Sequence, residues 1–367
     1  MTWAARRTAL ISVTGALIAA VSALTMGQAS AQTIGQAAAA TSSRHAAAAV
    51  SKHAAAVTAG QQAGVRRYWT PSRMEHAVPL RPDKTTATAA TTTTTTRGGS
   101  PRRAWLSAPV SDKPLAVPPR APLRAPLRAP LRRRVSASTT GVLWSGGGAV
   151  ARTTGKVFFT LSGQDYVCSG STVASADFDV VVTAGHCVKD GTGAWATNWT
   201  FVPGYSNGNA PYGSFSADQF YVASQWGTQA DNDYDVAFIR LNPGNVDGAQ
   251  TPVVKEVGGQ GIEFGSQPAR EAAFGYPADS PYTGQRLYYC SGAVSQDPYH
   301  ETSDTGLTCA MTAGSSGGPW LANFNQAAGT GIITSVSSFK YSTDDQILYG
   351  PGLGSVAQSL YQAAQAR

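Results

Sequence analysis

Clustered metal ligands are missing from this sequence. Its four cysteines, Cys168, Cys187, Cys290 and Cys309, form no C-x-x-C pair, and only His186 and His300 of the five histidines fall in the same part of the chain. That spacing argues against a zinc site, and no metal is expected. No glycine-rich phosphate loop or cofactor motif occurs either, so no cofactor is expected. Acidic residues are nearly absent from the first third. Residues 1–134 hold 3 Asp and Glu against 19 Lys and Arg, whereas the remainder holds 18 against 9. The formal charge of +7 therefore misdescribes both parts. A basic chain would suggest a nucleic-acid or membrane partner, but the part with the structured texture is acidic, so no nucleic acid is expected.

Large apolar residues are scarce between residues 32 and 134. That stretch carries alanine runs, six threonines from Thr91 to Thr96, and a tandem APLR repeat from Ala121 to Arg132. Little core can form there to offset ordering entropy, so a disordered segment is expected, with a transient helix over Ala46 to Ala59 and an extended Pro-rich repeat. It ends in Arg132-Arg133-Arg134, an exposed site for a processing protease. The one long apolar run lies before it, from about Ala9 to Met26, after Arg6-Arg7 and before Ala29-Ser30-Ala31. This pattern reads as a signal peptide over 1–31 and a secreted protein. Residues 32–138 then read as a low-complexity basic prosegment or a permanent stalk. The prosegment is expected to associate with the acidic remainder by charge.

Helical periodicity is also rare in the remainder. From about Thr139, short apolar runs alternate with Gly, Asn and Pro turns. Lys156-Val157-Phe158-Phe159-Thr160-Leu161 reads as a strand, Ser162-Gly163-Gln164-Asp165 as a turn, and Tyr166-Val167-Cys168 as the next strand. The expected class is all-β. One helix is expected, over about 355–366, where Val356, Leu360 and Ala364 share a face and Ser355 caps the start.

Three stretches carry chemistry. The buried-strand run Val180-Val181-Val182 leads into Thr183-Ala184-Gly185-His186-Cys187. Asp235 directly precedes the apolar strand Val236-Ala237-Phe238-Ile239. Gly314-Ser315-Ser316-Gly317-Gly318-Pro319 is a loop of small residues. In chain order they supply a base, an orienting carboxylate and a nucleophile. Asp231 and Asp233 rival Asp235, and Ser315 rivals Ser316. A Gly-Ser linker is the alternative account of the third stretch. The stretch also matches a G-x-S-x-G nucleophile elbow, but no histidine follows Ser316 as that architecture requires.

The three blocks resemble those of the chymotrypsin-like serine endopeptidases, TAAHC, D-[IV]-A-L-[IL] and G-D-S-G-G-P. Cys168-Ser169-Gly170-Ser171-Thr172-Val173 is similar to that family's C-G-G-S-L-I block. Ser315 stands where the family commonly has an aspartate that pairs with a freed N-terminus, so the chain looks closer to bacterial secreted members, including glutamyl-endopeptidase-like ones. The resemblance implies two antiparallel Greek-key β-barrels over 139–367, the first spanning about 140–250 and the second about 251–352. It also implies that the terminal helix packs on the second barrel. It implies catalytic His186, Asp235 and Ser316, and an oxyanion hole from the backbone N–H groups of Gly314 and Ser316. An even cysteine count in a secreted chain suggests two disulfides, expected as Cys168–Cys187, which ties a strand to the His186 turn, and Cys290–Cys309, which closes the segment before the Ser316 loop, where other family members pair their cysteines differently. The residue six before the nucleophile, Ala310, offers no charge. Ala310, Thr312, Ala313, Ser335, Val336 and Ser337 are the expected pocket, for a neutral P1 side chain of a protein or peptide substrate. A monomer is expected. The alternative is a protease-like binding protein without activity.

Overall fold

The structure, a computed structural model, describes residues 50–82 and 139–366. The expected signal peptide, the APLR repeat and Arg132–Arg134 lie outside the described residues.

The first barrel is built from β4 (Thr154–Leu161), β5 (Gln164–Thr172), β6 (Val180–Thr183), β7 (Thr197–Pro203), β8 (Phe215–Ala223) and β9 (Ala237–Leu241). The ladder runs β7-β4-β5-β6-β9, and β8 pairs with both β7 and β9, so six antiparallel strands close on themselves. Closure leaves no ladder edge within this set. The turn between β4 and β5 is tight because Ser162 and Gly163 both take positive φ, 51° and 85°, the left-handed pair that a two-residue hairpin favours. The barrel is filled by large side chains fully removed from water, among them Phe158, Trp199, Phe201, Phe220 and Phe238. Each such burial contributes about 1.5–3 kcal/mol.

A short hairpin, β10 (Gly244–Val246) with β11 (Ala249–Thr251), leads out of this barrel. The second barrel uses β13 (Arg270–Gly275), β14 (Tyr288–Gln296), β15 (Thr305–Thr308), β16 (Pro319–Asn325), β17 (Thr330–Val336) and β19 (Asp344–Gly350), in ladder order β17-β16-β13-β14-β15-β19. Its two ends meet without a ladder. The Ser335 hydroxyl donates to Pro351 O at 2.9 Å, and Leu353 N–H to Thr334 O at 3.3 Å. Three short strands join its rim: β3 (Thr139–Leu143) on β14, β12 (Gly261–Ile262) on β17, and β18 (Phe339–Tyr341) on β19. Trp320, Met311, Leu307 and the Cys290–Cys309 disulfide pack together inside.

Two expectations need correction. The terminal helix, Ser355–Ala364, buries Ala357, Leu360 and Ala364, but against the first barrel rather than the second. The Tyr361 ring lies 5.7 Å from that of Phe238 on β9, and its hydroxyl donates to Ala174 O. Ser355 is the first helical residue, not the cap. The cap is Gly354, whose extended backbone (φ −87°, ψ −165°) precedes the helix without a side-chain bond.

The N-terminal stretch departs furthest from expectation. Residues 50–82 are folded against the first barrel. β1 (Val50–Ala54) adds to β8 as an antiparallel strand, where the composition predicts a helix. Helices Ala59–Tyr68 and Pro71–His76 follow. Thr58 caps the first through a reciprocal capping box with Gln61. Thr70 caps the second, with Pro71 opening it. β2 (Val78–Pro79) then runs parallel to Tyr166 and Val167 on β5. Ala56, Val65 and Trp69 are buried in the main core cluster. The segment has too few apolar residues for a core of its own, and it buries these few in the barrel's.

Candidate active site

Strands β6 and β9 set the site. Their antiparallel register places Thr183 opposite Ala237 and Val182 opposite Phe238, so the loops that carry His186 and Asp235 leave the same end of the sheet. His186 sits in the one-turn 3₁₀ helix Gly185–Cys187, pinned by the Cys168–Cys187 disulfide. Its Nδ1 lies 2.8 Å from Asp235 Oδ2, and its backbone N–H donates to Asp235 Oδ1, also at 2.8 Å. An ionised carboxylate only accepts, so Nδ1 carries the proton and Nε2 is the basic atom of the neutral ring. Nε2 is buried and has no hydrogen-bond partner among the described residues. Gly185 is obligatory here, since a Cβ would fall 2.9 Å from the Trp226 ring and 3.0 Å from Asp235 Oδ1.

Asp235 is 2 % exposed. Burial pushes its carboxyl pKa up, but the neighbouring His186 charge and hydrogen bonds from His186 and Ser338 outweigh this and hold it below the usual range. The Ser338 hydroxyl donates to Oδ2 at 2.5 Å. Sequence reasoning missed Ser338; the only signal was its place after Val336-Ser337, at the end of a strand. The rival aspartates are engaged elsewhere. Asp231 accepts from Asp233 N–H within its own turn, and Asp233 accepts from Ser303 N–H at 2.8 Å.

The Ser316 loop is clamped from the first barrel by Ser169, another residue that sequence reasoning passed over. Its N–H donates to Ser316 O at 2.7 Å, and its hydroxyl donates to Gly314 O and accepts from Tyr276 N–H, each at 2.8 Å. Cys187 Sγ lies 3.8 Å from Ser316 O, which brings Ser316 beside the His186 turn. Gly317 (φ +76°) makes the close approach possible: a Cβ there would fall 2.0 Å from Thr183 Oγ1 and 2.5 Å from Ser169 O. The rival Ser315 is turned inward, its hydroxyl donating to Thr312 O at 2.7 Å. Backbone N–H groups of Ser315, Gly317 and Gly318 are bonded to Thr312 O, Ser337 O and Ser315 O. Those of Gly314 and Ser316 have no acceptor among the described residues.

A family model for trypsin matches residues 145–350, more than half of the chain. The chain belongs to the trypsin family. Two proteases of known structure share the architecture. Protease Anisep from Arthrobacter nicotinovorans is 40 % identical, with a TM-score of 0.55 over 63 % of this chain and 99 % of its own. The thermostable serine protease AL20 from an extremophilic microorganism is 37 % identical, with a TM-score of 0.55 over 59 % of this chain and 98 % of its own. An extracellular metalloprotease of Bacillus subtilis is 40 % identical over 85 residues, 23 % of this chain. The match spans about a quarter of that relative's length, 26 %. As a member of the trypsin family, the chain is a protease of the serine class.

One group of potential metal ligands exists among the described residues, Cys168, His186 and Cys187. The two sulfurs are bonded to each other, so no thiolate is available, and this trypsin-family site does not fit a metal ion.

A small cavity opens beside Ser316. Met311, Thr312, Ala313, Ser338, Phe339 and Lys340 line it. Of the expected pocket residues, Thr312 and Ala313 are there, while Ala310, Ser335, Val336 and Ser337 do not line it. Ser335 bonds to Pro351 O, Val336 is core, and the Ser337 hydroxyl accepts from Trp320 Nε1 at 3.1 Å. These three lie on the strand end that closes the second barrel, and their side chains serve that closure. Lys340, unforeseen, holds its Nζ on Cys309 O at 2.7 Å.

Proposed function

We propose that this chain is a secreted serine endopeptidase, made with a signal peptide as a zymogen, in which Ser316 attacks the scissile carbonyl. The observation that carries this reading is the buried His186 ring, with Asp235 on Nδ1 and a basic, unpartnered Nε2, in a turn whose Cys187 lies against Ser316 O. His186 takes the Ser316 proton and returns it to the leaving amine. Asp235 fixes the tautomer and stabilises the imidazolium, and Ser338 fixes Asp235. The N–H groups of Gly314 and Ser316 stabilise the tetrahedral oxyanion. Water then hydrolyses the acyl-enzyme on Ser316.

The small and apolar lining from Met311, Ala313 and Phe339 supports a neutral P1 side chain. Lys340 supports a second reading, in which a P1 carboxylate pairs with Nζ, and it disfavours Arg and Lys at P1. A fluorophosphonate probe labels Ser316 if the reading holds, and Ser316→Ala lowers kcat by on the order of 10⁶. A Ser316→Ala protein that still cleaves casein at the parent rate overturns it. A panel of peptides that differ only at P1 separates Leu, Phe and Ala from Glu and Asp. A preference for Arg or Lys overturns both pocket readings.

A further inference from the structure

Residues 50–82 end at the nucleophile. β1 pairs with β8 over Val50↔Ala223 to Ala54↔Gln219, and the pairing continues through Ala55 and Ala56 N–H to Asp218 O and Ala217 O. Asn242 locks the turn that follows, donating to Ala56 O at 2.9 Å and accepting from Gln62 Nε2 at 2.8 Å. Trp69 is 6 % exposed, donates its indole N–H to Asn198 O and packs 5.5 Å from the Phe158 ring. Asp165 receives both the Tyr68 hydroxyl, at 2.7 Å, and Arg73, at 3.0 Å. After β2, Arg81 pairs with Asp279 at 2.8 Å. Asp279 is tied to Thr312 by two hydrogen bonds, and Thr312 O holds Ser315. The next residue, Pro82, forms one wall of the cavity that contains Ser316. With Pro82 in place that cavity measures about 30 Å³, room for little more than a water molecule or two.

We propose that residues 50–82 are a docked intramolecular inhibitor, and that cutting the chain within residues 83–138 does not by itself release it. The inference rests on the peptidase reading of Ser316. It differs from simple removal of a prosegment, because the segment's hold on the barrel is independent of the connection that follows Pro82. An added strand, a buried tryptophan and two ion pairs make a surface that retains its occupant as a separate chain. The occupant's chemistry matches. Residues 50–82 carry five Lys and Arg and one Glu, against the acceptors Asp165 and Asp279. A P1 side chain enters only when Pro82 leaves. Pro79 and Pro82 lack amide N–H groups and have fixed φ, which suits a segment that lies in a protease cleft and lowers the entropy cost of docking.

The test uses the full chain with the Thr91–Thr96 run replaced by a site for a sequence-specific viral protease. After cutting at low salt, the N-terminal fragment is expected to co-elute with the catalytic part, and fluorophosphonate labelling of Ser316 to stay slow. Gel filtration in urea, at a concentration that leaves the catalytic part folded, separates the two, since urea solvates the apolar and peptide groups that hold the segment. Labelling and peptide cleavage then rise by at least about tenfold. Trp69→Ala weakens docking by on the order of 30-fold, and activity appears on cutting alone. Where Trp69→Ala does not fold, Arg81→Ala with Pro82→Gly, at the exposed end of the segment, serves the same purpose. Full labelling while the fragment remains bound, or release of the fragment at low salt, overturns the inference. A separated catalytic part that is neither labelled nor active overturns the peptidase reading instead, and this inference with it.

Discussion

Glu271 gives the sharpest link between this fold and pH. It lies on β13 opposite Gly292 and is 6 % exposed. One carboxylate oxygen accepts from the Thr334 hydroxyl at 2.7 Å, and the other is buried with no partner among the described residues. Burial is the main cause that raises its pKa from 4.5 to about 7, with the Thr334 bond a smaller opposing effect. A raised folded-state pKa stabilises the fold fully below the unfolded value, and this stabilisation is lost as pH rises through about 7. The rise corresponds to about 3 kcal/mol in all. A minor part of that is already lost at pH 5, because the unfolded carboxyl is mostly ionised there. Glu271→Gln cannot ionise. Its stability relative to the parent is therefore expected to improve by about 2–3 kcal/mol between pH 5 and pH 9, or about 5–10 °C in Tm for a domain of this size. Calorimetry in the Ser316→Ala background, which prevents autolysis, measures this directly. A Tm difference between Glu271→Gln and parent that is the same at pH 5 and pH 9 refutes the reasoning.

Other outcomes follow from the same geometry. Ser338→Ala removes a hydrogen bond to a buried charge and should lower kcat about tenfold or more with little change in KM, read from steady-state kinetics. Gly317→Ala forces a Cβ onto Thr183 Oγ1 at positive φ, so soluble, labelled protein should fall to trace levels in expression trials. Replacing both Cys290 and Cys309 with Ser opens a loop of sequence separation 19 and should cost about 3 kcal/mol in denaturant unfolding. Lys156, whose Nζ donates to Gly284 O at 3.0 Å, has its pKa lowered to about 8 by burial. Stability tied to it is lost as pH falls through about 8, so Lys156→Met should gain on the parent at pH 7 and lose that gain by about pH 10.5. Denaturation midpoints at the two pH values check this.

The candidate site was legible because its residue types are local to three short blocks. Val180–Val182 reads as buried strand from its side chains alone, and all three are fully buried. Asp235 was separable from Asp231 and Asp233 by the apolar strand that begins after it, and that strand pairs with the one before His186. What braces the block was not legible. Ser169 and Ser338 act across the interface between barrels, Ser169 from within β5 and Ser338 from the short link between β17 and β18. A serine in such a place is the same letter whether it holds an aspartate or faces water. The expected pocket and the cavity beside Ser316 differ for a related reason. Spacing from Ser316 locates Thr312 and Ala313, which lie in the same loop. Ser335, Val336 and Ser337 sit on a different strand, and which way that strand faces is fixed by how the second barrel closes through Pro351 and Leu353.

Residues 50–82 show the limit of composition as a guide to order. Counting apolar residues asks whether a segment can bury a core of its own, and by that measure this one cannot. The relevant quantity is the surface it covers on a neighbour. Alanines 54 to 56 favour a helix in isolation, yet Ala54 pairs in a strand because β8 pairs with β7 only at Phe215 and Ser216, and its later residues, paired with β9 on one side, offer unpaired backbone groups on the other. Single anchors then decide the rest. Trp69 fills a site over Phe158, and two caps, Thr58 and Thr70, turn the chain between them. Those caps are written in the sequence as Thr-x-x-Gln and Thr-Pro, so the helices had a local signature that their alanine-rich, cationic setting obscured. The partner surface lies roughly ninety residues or more downstream, and no local pattern reports it. Ordering here is therefore a property of the segment and the barrel together, which is why separating the two is also the step that should open the site.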